Sequence, residues 1–176
     1  METLPELSIG KLLLLFGPKK YLRGALPLLT AKLALRSSLR ILDCGNSFRG
    51  YPLAREIRRQ NAAVNQVLER IAIARAFTCY QVPALLAETP ADGTPTLVLD
   101  LLSTFYDENI NEKERGRLLA LSIRHLKRIS ARAPLAVSLF QSSNQQADRW
   151  QEMVMQSATL IWHIEELPDP VQLTFF

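Results

Sequence analysis

Residues 12–24 read Leu12-Leu13-Leu14-Leu15-Phe16-Gly17-Pro18-Lys19-Lys20-Tyr21-Leu22-Arg23-Gly24. The first half is an uninterrupted apolar run, too short for a stable helix on its own, and such a run is typical of a strand buried on both faces. We predict this strand over residues 11–16. After the glycine and a basic loop, apolar residues at helical spacing predict a helix from Gly24 to about Ser37, with Pro27 in its first turn.

The same stretch has the outline of a phosphate-binding loop. A working loop reads G-x-x-x-x-G-K-[ST], in which backbone N–H groups wrap the phosphates while the lysine and the hydroxyl group contact the terminal phosphates and magnesium. Counting from Gly17 places Leu22-Arg23-Gly24 where Gly-Lys-Ser/Thr should stand, and counting back from Gly24 places Ala25-Leu26 where Lys-Ser/Thr should stand. Neither register restores the motif.

The composition is that of a globular protein. With 176 residues, 48% hydrophobic and 22% charged, residues 1–176 fit a single domain with a sizeable core. A net charge of +4 suits an acidic or nucleic-acid partner but is also common on proteins that bind neither. Cys44 and Cys79 are far apart and lack metal-ligand spacing, which favours a reduced intracellular protein without a metal site. Because no signal-peptide pattern or membrane-length apolar run is present, we expect a cytoplasmic protein that does not enter membranes.

Downstream, short apolar segments alternate with amphipathic ones. We predict further strands over 39–44, 71–76, 96–102 and 135–140, and helices that open at Tyr51-Pro52 and span about 63–69, 80–88, 111–132 and 149–156. Two last strands, 158–165 and 171–176, are expected to form an antiparallel hairpin. This order predicts an α/β fold in three layers, with a mostly parallel central sheet and helices on both faces. The loops after Phe16, Asp43, Asp100 and Phe140 should then converge at the carboxyl ends of the strands.

Several segments together resemble the core of the RecA/RadA recombinase family. Val67 to Phe77 is similar to the family's V-L-x-N-I-x-x-A-R-A-F segment, and Ile41 to Arg49 is similar to its Y-I-D-T-E-G-T-F-R. Thr96 to Tyr106 resembles the Walker B strand and the residues after it, Leu139-Phe140-Gln141 stands where the family has T-N-Q, and the terminal hairpin matches in place. The resemblance covers essentially the whole chain and implies one RecA-like domain with the P-loop type of fold.

The chain also departs from the family. In the family, an acidic residue in Y-I-D-T-E-G-T-F orients the attacking water, and the corresponding residue here is Gly45. The loop lysine and Ser/Thr are missing as well. The family has flexible DNA-binding loops after its fourth and fifth strands. The corresponding segments here are short: 103–112 is acidic, and 142–149 lacks glycine. The resemblance therefore implies the fold without efficient ATP hydrolysis, and we assign no catalytic residue.

Seven residues are candidates for residual binding of ATP and magnesium: Gly17, Lys19, Lys20, Arg23, Gly24, Asp100 and Gln141. The three basic residues would either bind phosphate at the start of the first helix or form a solvated basic loop. Asp100 would either be the magnesium-side carboxylate of a Walker B strand or a structural aspartate that caps a neighbouring loop.

Two arginine clusters are candidates for DNA binding: Arg117, Arg124 and Arg128 on one helix face, and Arg55, Arg58 and Arg59, with Arg49, near the loop after the second strand. Each cluster is either a phosphate-contacting surface or a solvated helix face. No aromatic residues are interleaved with them, as a platform for stacking single-stranded bases would require. His125, His163 and Cys44 lack catalytic neighbours in sequence, so we predict structural roles for them.

These observations favour a non-catalytic RecA/RadA-like accessory or regulatory factor in DNA recombination or repair. Such a protein would act through contacts with a related ATPase, another protein or DNA, and homo-oligomerisation is compatible with the fold. The alternative is a weak ATP-binding ATPase in which Lys19, Lys20 or Arg23 replaces the missing lysine and a partner subunit supplies the missing carboxylate. A third hypothesis is a protein-binding regulator unconnected with DNA, since folds of this kind host many functions.

Overall fold

The computed structural model describes residues 5–60, 63–142 and 145–165. The strands in these ranges are β1 (Leu12–Gly17), β2 (Leu39–Asp43), β3 (Ile71–Arg75), β4 (Thr96–Leu99), β5 (Leu135–Phe140) and β6 (Leu160–His163). The helices are α1 (Lys19–Arg36), α2 (Gly50–Gln60), α3 (Val64–Leu68), α4 (Gln81–Glu88), α5 (Glu112–Ser130) and α6 (Gln145–Ser157), and a short 3-10 helix spans Ser103–Tyr106. Helices and strands therefore alternate along the chain as predicted.

The six strands form one sheet in the order β3-β2-β4-β5-β1-β6. Every strand pair in it is parallel, with Leu12 of β1 opposite Leu135 of β5 and Leu13 opposite Leu160 of β6. The predicted α/β architecture is confirmed. The first strand of the predicted terminal hairpin is β6, which pairs in parallel with β1. Its second predicted strand, 171–176, lies outside the described residues, so the antiparallel hairpin stays a prediction.

The leucine run of β1 is buried because helices cover both faces of the sheet. Leu12 and Leu14 belong to a core formed with α4, α5 and α6, whereas Leu13 and Leu15 belong to a second core formed with α1 and α2. Side chains of a strand point alternately to its two faces, so both faces need apolar residues here. This requirement explains why no polar residue interrupts the run.

The first helix begins earlier than the sequence predicted. It starts at Lys19 rather than Gly24, and Pro27 lies about two turns inside it rather than in its first turn. Leu22 and Leu26 are both buried on the face that packs against the sheet, so the packing extends the helix towards β1 despite the unfavourable Gly24 and Pro27. Since Pro27 has no N–H group, it cannot donate to the carbonyl of Arg23 one turn earlier.

The fourth strand is shorter than predicted. It ends at Leu99, and Asp100 turns the chain with a φ of 51°. Leu101 and Leu102 continue the apolar run and are buried, but they lie in a turn before the 3-10 helix. Apolar sequence predicted their burial correctly, whereas the end of the strand depends on the left-handed backbone of Asp100, a conformation that aspartate adopts more readily than most residues.

Candidate functional site

The carboxyl ends of four neighbouring strands form the candidate site. The order β2-β4-β5-β1 brings together the segments that follow these strands, as expected from the sequence. After β1 the chain enters α1, which packs with α2 on one side of the sheet, and after β5 it enters α6, which packs with α5 on the other side. In open parallel sheets, adjacent strands whose connections diverge in this way create a crevice in which ligands bind.

At the end of β1 a single residue, Pro18, separates the strand from α1. The carbonyl of Pro18 accepts hydrogen bonds from the N–H groups of Tyr21 and Leu22, at 3.0 and 3.2 Å. Gly24 lies within α1, where a Cβ atom would meet nothing within 4 Å. A phosphate loop needs several residues between strand and helix whose N–H groups can surround an anion, and this fully described stretch has no such loop.

Gly17 is a glycine for a packing reason. A Cβ atom at this position would lie 2.6 Å from the carbonyl oxygen of Ile164, in the segment that follows β6. On the opposite side, the carbonyl of Gly17 accepts a hydrogen bond of 2.8 Å from the backbone N–H of Gln141. The end of β1 is therefore enclosed by protein backbone on both sides.

The three basic candidates project from the first turns of α1. Lys19, Lys20 and Arg23 are all exposed. The ammonium group of Lys19 lies 5.2 Å from the ring centroid of Phe140, and the positive charges of Lys19 and Arg23 both lower the pKa of Asp100. The fold thus brings together three of the candidates for binding ATP and magnesium, because Lys19 and Arg23 both lie near Asp100.

Asp43, at the end of β2, organises the loop that follows it. Its side chain is fully buried and accepts hydrogen bonds from the N–H groups of Ser47 and Phe48, at 2.9 and 3.1 Å. The guanidinium group of Arg75, on the neighbouring strand β3, donates a third bond of 3.3 Å. The sequence indicated that this loop would belong to the site, but it did not single out Asp43 as the residue that shapes it. An aspartate followed four residues later by serine is compatible with such a loop.

Asp100 has a different environment. It is 8% exposed, its N–H group donates to the hydroxyl of Ser138 at 2.9 Å, and no described residue donates a hydrogen bond to its carboxylate. Burial raises the pKa of Asp100 to about 6, helped by the charge of Asp43 and opposed by the nearby Lys19 and Arg23. Asp43 therefore shapes the loop after β2, whereas the Asp100 side chain lies buried against Gly45, with the charges of Lys19 and Arg23 nearby.

Asp100 also explains the glycine at position 45. A Cβ atom on Gly45 would lie 2.6 Å from the Cβ atom and 2.7 Å from the Cγ atom of Asp100. Contacts this short do not occur between non-bonded carbons, so the Asp100 side chain fills the space that a side chain at position 45 would need. A glutamate at position 45, as in the family pattern, is incompatible with this position of Asp100.

The cysteine and histidine candidates show no catalytic arrangement. Burial, together with the charges of Asp43 and Asp100, raises the pKa of the Cys44 thiol to about 12, so the thiol is protonated at neutral pH and is a poor nucleophile. His163 contacts the ring of Phe16 edge to face, and the pKa of His125 is lowered by partial burial and by Arg128 and Arg124. In the described ranges, no group of three Cys, His, Asp or Glu side chains is placed to hold a metal ion.

On α5, two of the three arginines proposed for DNA binding have intramolecular partners. Arg117 forms two hydrogen bonds with the carboxylate of Glu114, at 2.7 and 2.8 Å. Arg128 donates to the carbonyls of Leu86 and Thr89, at 2.9 and 2.8 Å, and so closes the end of α4. Arg124 is exposed. Within the described residues, Arg124 is thus the one member of this cluster without an intramolecular partner. DNA binding by the cluster stays a prediction.

The second arginine cluster lies on the opposite side of the sheet. Arg55 and Arg59 flank the buried carboxylate of Glu56 on α2, at 3.7 and 3.2 Å, whereas Arg58 is exposed and pairs with no described acidic residue. Because α2 packs with α1 and α3 and α5 packs with α4 and α6, the two clusters do not form one continuous basic surface.

An exposed apolar surface at the β3 edge of the sheet was not predicted. Ile73 on β3 is 43% exposed, and Phe77 and Tyr80, which follow the strand, are 66% and 51% exposed. Tyr51 of α2 is 78% exposed, and it lines with Ile73 an apolar depression of about 430 Å³. Phe77 and Tyr80 lead into α4, which packs with α5 on the other side of the sheet from α2. We therefore call only Tyr51, Ile73 and the depression that they line the β3 edge surface. The sequence predicted a strand at residues 71–76 but not its place in the sheet. The strand order places it at an edge, which leaves Ile73 partly exposed.

Comparison with known protein families finds no family that matches the chain, and comparison with curated proteins finds no significant match. The resemblance to the RecA/RadA family therefore rests on the sequence segments quoted above. No helix within the described ranges is both long enough and apolar enough to cross a membrane.

The contact between Gly45 and Asp100 predicts a mutational effect. Gly45→Ala should lower the free energy of unfolding by about 1–3 kcal/mol, because the added methyl group overlaps Asp100. In an Asp100→Gly background this cost should largely disappear, as a double-mutant cycle by urea denaturation would show. Gly24→Ala is the matched control and should raise stability by up to about 1 kcal/mol, because its site in α1 is open. A cost for Gly45→Ala that is independent of Asp100 would contradict the proposed overlap.

The raised pKa of Asp100 predicts a pH dependence. Since its pKa of about 6 in the folded protein exceeds the ordinary aspartate value of 3.8, the folded state binds more protons between these values, and stability falls as pH rises through them. Asp100→Asn should therefore be more stable than the wild type at pH 7, by the order of 2 kcal/mol, and similar to it near pH 3.5. Asn also tolerates the positive φ of this position.

Asp92 provides the control for this measurement. Hydrogen bonds from Thr94 and Arg40 lower the pKa of Asp92 to about 2, so its charged form stabilises the folded state above the pKa of the unfolded chain. Asp92→Asn should therefore be less stable than the wild type at pH 7, whereas Asp100→Asn should be more stable than the wild type. Equal signs for the two variants in urea denaturation would contradict the environments described for both carboxylates.

Proposed function

We propose that this protein is a non-catalytic RecA/RadA-like accessory factor in DNA recombination or repair, which works by binding a partner protein through the β3 edge surface. The observation that carries the proposal is the exposure of Tyr51 and Ile73, which line one apolar depression beside an edge strand. Ile73 belongs to the segment 67–77, in which the resemblance to the family is most specific.

The crevice supports the non-catalytic part of the proposal. ATP hydrolysis needs donors around the phosphates and a group that positions the attacking water. Pro18 alone joins β1 to α1, Ile164 packs against Gly17, and the Asp100 side chain occupies the space next to Gly45. Protein atoms thus occupy the positions where an ATP-hydrolysing site would need phosphate-binding N–H groups and a carboxylate that positions water.

The β3 edge surface supports the protein-binding part. Within the described residues β3 pairs only with β2, so one side of its backbone is available to an added strand. The depression between Tyr51 and Ile73 offers a place for one apolar side chain of that strand. Large exposed apolar side chains that lie together commonly mark protein interaction sites.

The charges around this surface favour an acidic partner segment. Arg58 lies one helical turn beyond Ala54, which lines the depression, and it is exposed. Arg49 and Arg55 are also exposed on the same side, and the only acidic residue of α2, Glu56, is buried. The occupant we propose is an extended segment of a RecA-like ATPase, with apolar side chains flanked by Asp or Glu.

Binding to the purified RecA-family ATPase of the same organism tests this proposal. Ile73→Lys should weaken the affinity measured by titration calorimetry at least tenfold, because it places a charge in the apolar depression that a side chain of the partner would fill. Leu160→Lys is the matched control, since Leu160 is similarly exposed, at 47% against 43%, and lies on the opposite edge strand. We expect its effect to stay within twofold. Absence of binding by the wild type, or equal losses in both variants, would overturn the proposal.

The second candidate, a weak ATP-binding ATPase, is favoured by one observation: Asp100 lies in the crevice with Lys19 and Arg23 nearby. A thermal-shift titration separates the two functions. We expect magnesium-ATP at millimolar concentration to leave the melting temperature unchanged, because the described junction between β1 and α1 has no loop of backbone donors. A rise that is abolished by the Lys20→Ala, Arg23→Ala double variant would favour the ATP-binding function instead.

A further inference from the structure

A cavity of about 270 Å³ lies between α1 and the start of α2, beside the crevice. Its base is formed by apolar residues at the ends of two strands and on α2: Leu99, Phe140 and Leu53. Leu26 and Pro27 of α1 form one wall, and the segment after β2 forms the other. Of the candidates for phosphate binding, Gly17, Lys19 and Lys20 do not line it, whereas Arg23 does.

Two arginines stand at the mouth of the cavity. Of the residues that line it, only Arg23 and Arg49 are exposed, while the others are buried or half-buried. None of these lining residues is acidic. The guanidinium group of Arg23 has no hydrogen-bond partner among the described residues, and that of Arg49 donates from one nitrogen to the carbonyls of Asn46 and Phe48, both at 3.0 Å. The mouth thus has unused donors and a positive charge.

The walls are held in place without a ligand. Asp43 fixes the backbone of Ser47 and Phe48 by its two N–H hydrogen bonds, and the bonds from Arg49 to the loop carbonyls reinforce this segment. On the other wall, the hydroxyl of Thr30 donates to the carbonyl of Leu26 at 2.7 Å. A cavity with preformed walls avoids the entropic cost of ordering them on binding.

From the combination of an apolar interior and two arginines at the mouth, we infer that this cavity binds a small amphipathic carboxylate. The carboxylate group lies between Arg23 and Arg49, where the planar guanidinium groups donate to its oxygens, and an aromatic or aliphatic body fills the space over Leu99 and Phe140. Ligand sites of this kind are mostly apolar, with a few polar groups that set the orientation.

The size and the polarity of the cavity limit the ligand. Its volume is slightly below the roughly 300–1,000 Å³ that is common for pockets of drug-sized ligands, so one or two fused rings fill it. A nucleotide would place its polar ribose against Leu26, Leu53 and Leu99. The site is therefore suited to a hydrophobic acid rather than to a phosphorylated nucleoside, and it does not depend on the partner protein proposed above.

Titration of the full chain with 2-naphthoate, followed by amide chemical shifts in two-dimensional NMR, tests the inference. We expect saturable binding with a Kd of about 1 mM or lower, with the largest shifts in residues 23–30 and 47–53. The neutral analogue 2-naphthalenemethanol should bind at least tenfold more weakly, because it cannot use the charge of the arginines.

Arginine variants supply the controls. Arg23→Gln and Arg49→Gln should each weaken 2-naphthoate binding about tenfold, whereas Arg36→Gln, in the last turn of α1, should change it less than twofold. Both cavity variants change exposed side chains, so they are expected to remain folded, and their NMR spectra report this directly. The inference is overturned if 2-naphthoate causes no saturable shifts up to 5 mM (about five times the expected Kd), if the shifts map elsewhere, or if the neutral analogue binds equally well.

Discussion

The buried carboxylate of Asp43 holds together the loop after β2 and the edge strand β3, on which both proposed binding surfaces depend. It receives the N–H groups of Ser47 and Phe48 and the guanidinium group of Arg75, so one side chain joins β2, the loop after it and the edge strand β3. A fully buried carboxylate needs such donors, since burying it without them would cost several kcal/mol. The loop is consequently shaped from inside the protein and needs no ligand to order it.

Asp43 and Asp100 end neighbouring strands, but their surroundings give them different properties. Asp43 is surrounded by donors, whereas Asp100 lacks them and has its pKa raised to about 6 by burial. Position 45 is a glycine because the Asp100 side chain occupies the space that a side chain at this position would need. Position 17 is a glycine for a similar reason, because the backbone of Ile164 occupies the space that a side chain there would need. Close packing of the crevice supports the proposal of a binding protein rather than an ATPase.

Phe48 links the two surfaces for which we propose ligands. Its side chain lines both the cavity beside α1 and the apolar depression of the β3 edge surface. Its backbone is held by the hydrogen bond of its N–H group to Asp43. The small-molecule site and the protein-binding surface thus share one aromatic wall, fixed by the same buried carboxylate.

The alternation of apolar and amphipathic segments determined the class of fold, the approximate bounds of the strands and the convergence of four strand ends. This was predictable because a parallel sheet covered on both faces requires uninterrupted apolar strands, as in Leu12 to Leu15, and because the carboxyl ends of such strands meet at one edge. Only the tertiary structure decided how α1 begins, which aspartate shapes the loop, and that β3 lies at the edge of the sheet. These features depend on packing between residues far apart in sequence, such as Gly17 with Ile164 and Gly45 with Asp100, and local periodicity carries no information about which distant residues come into contact.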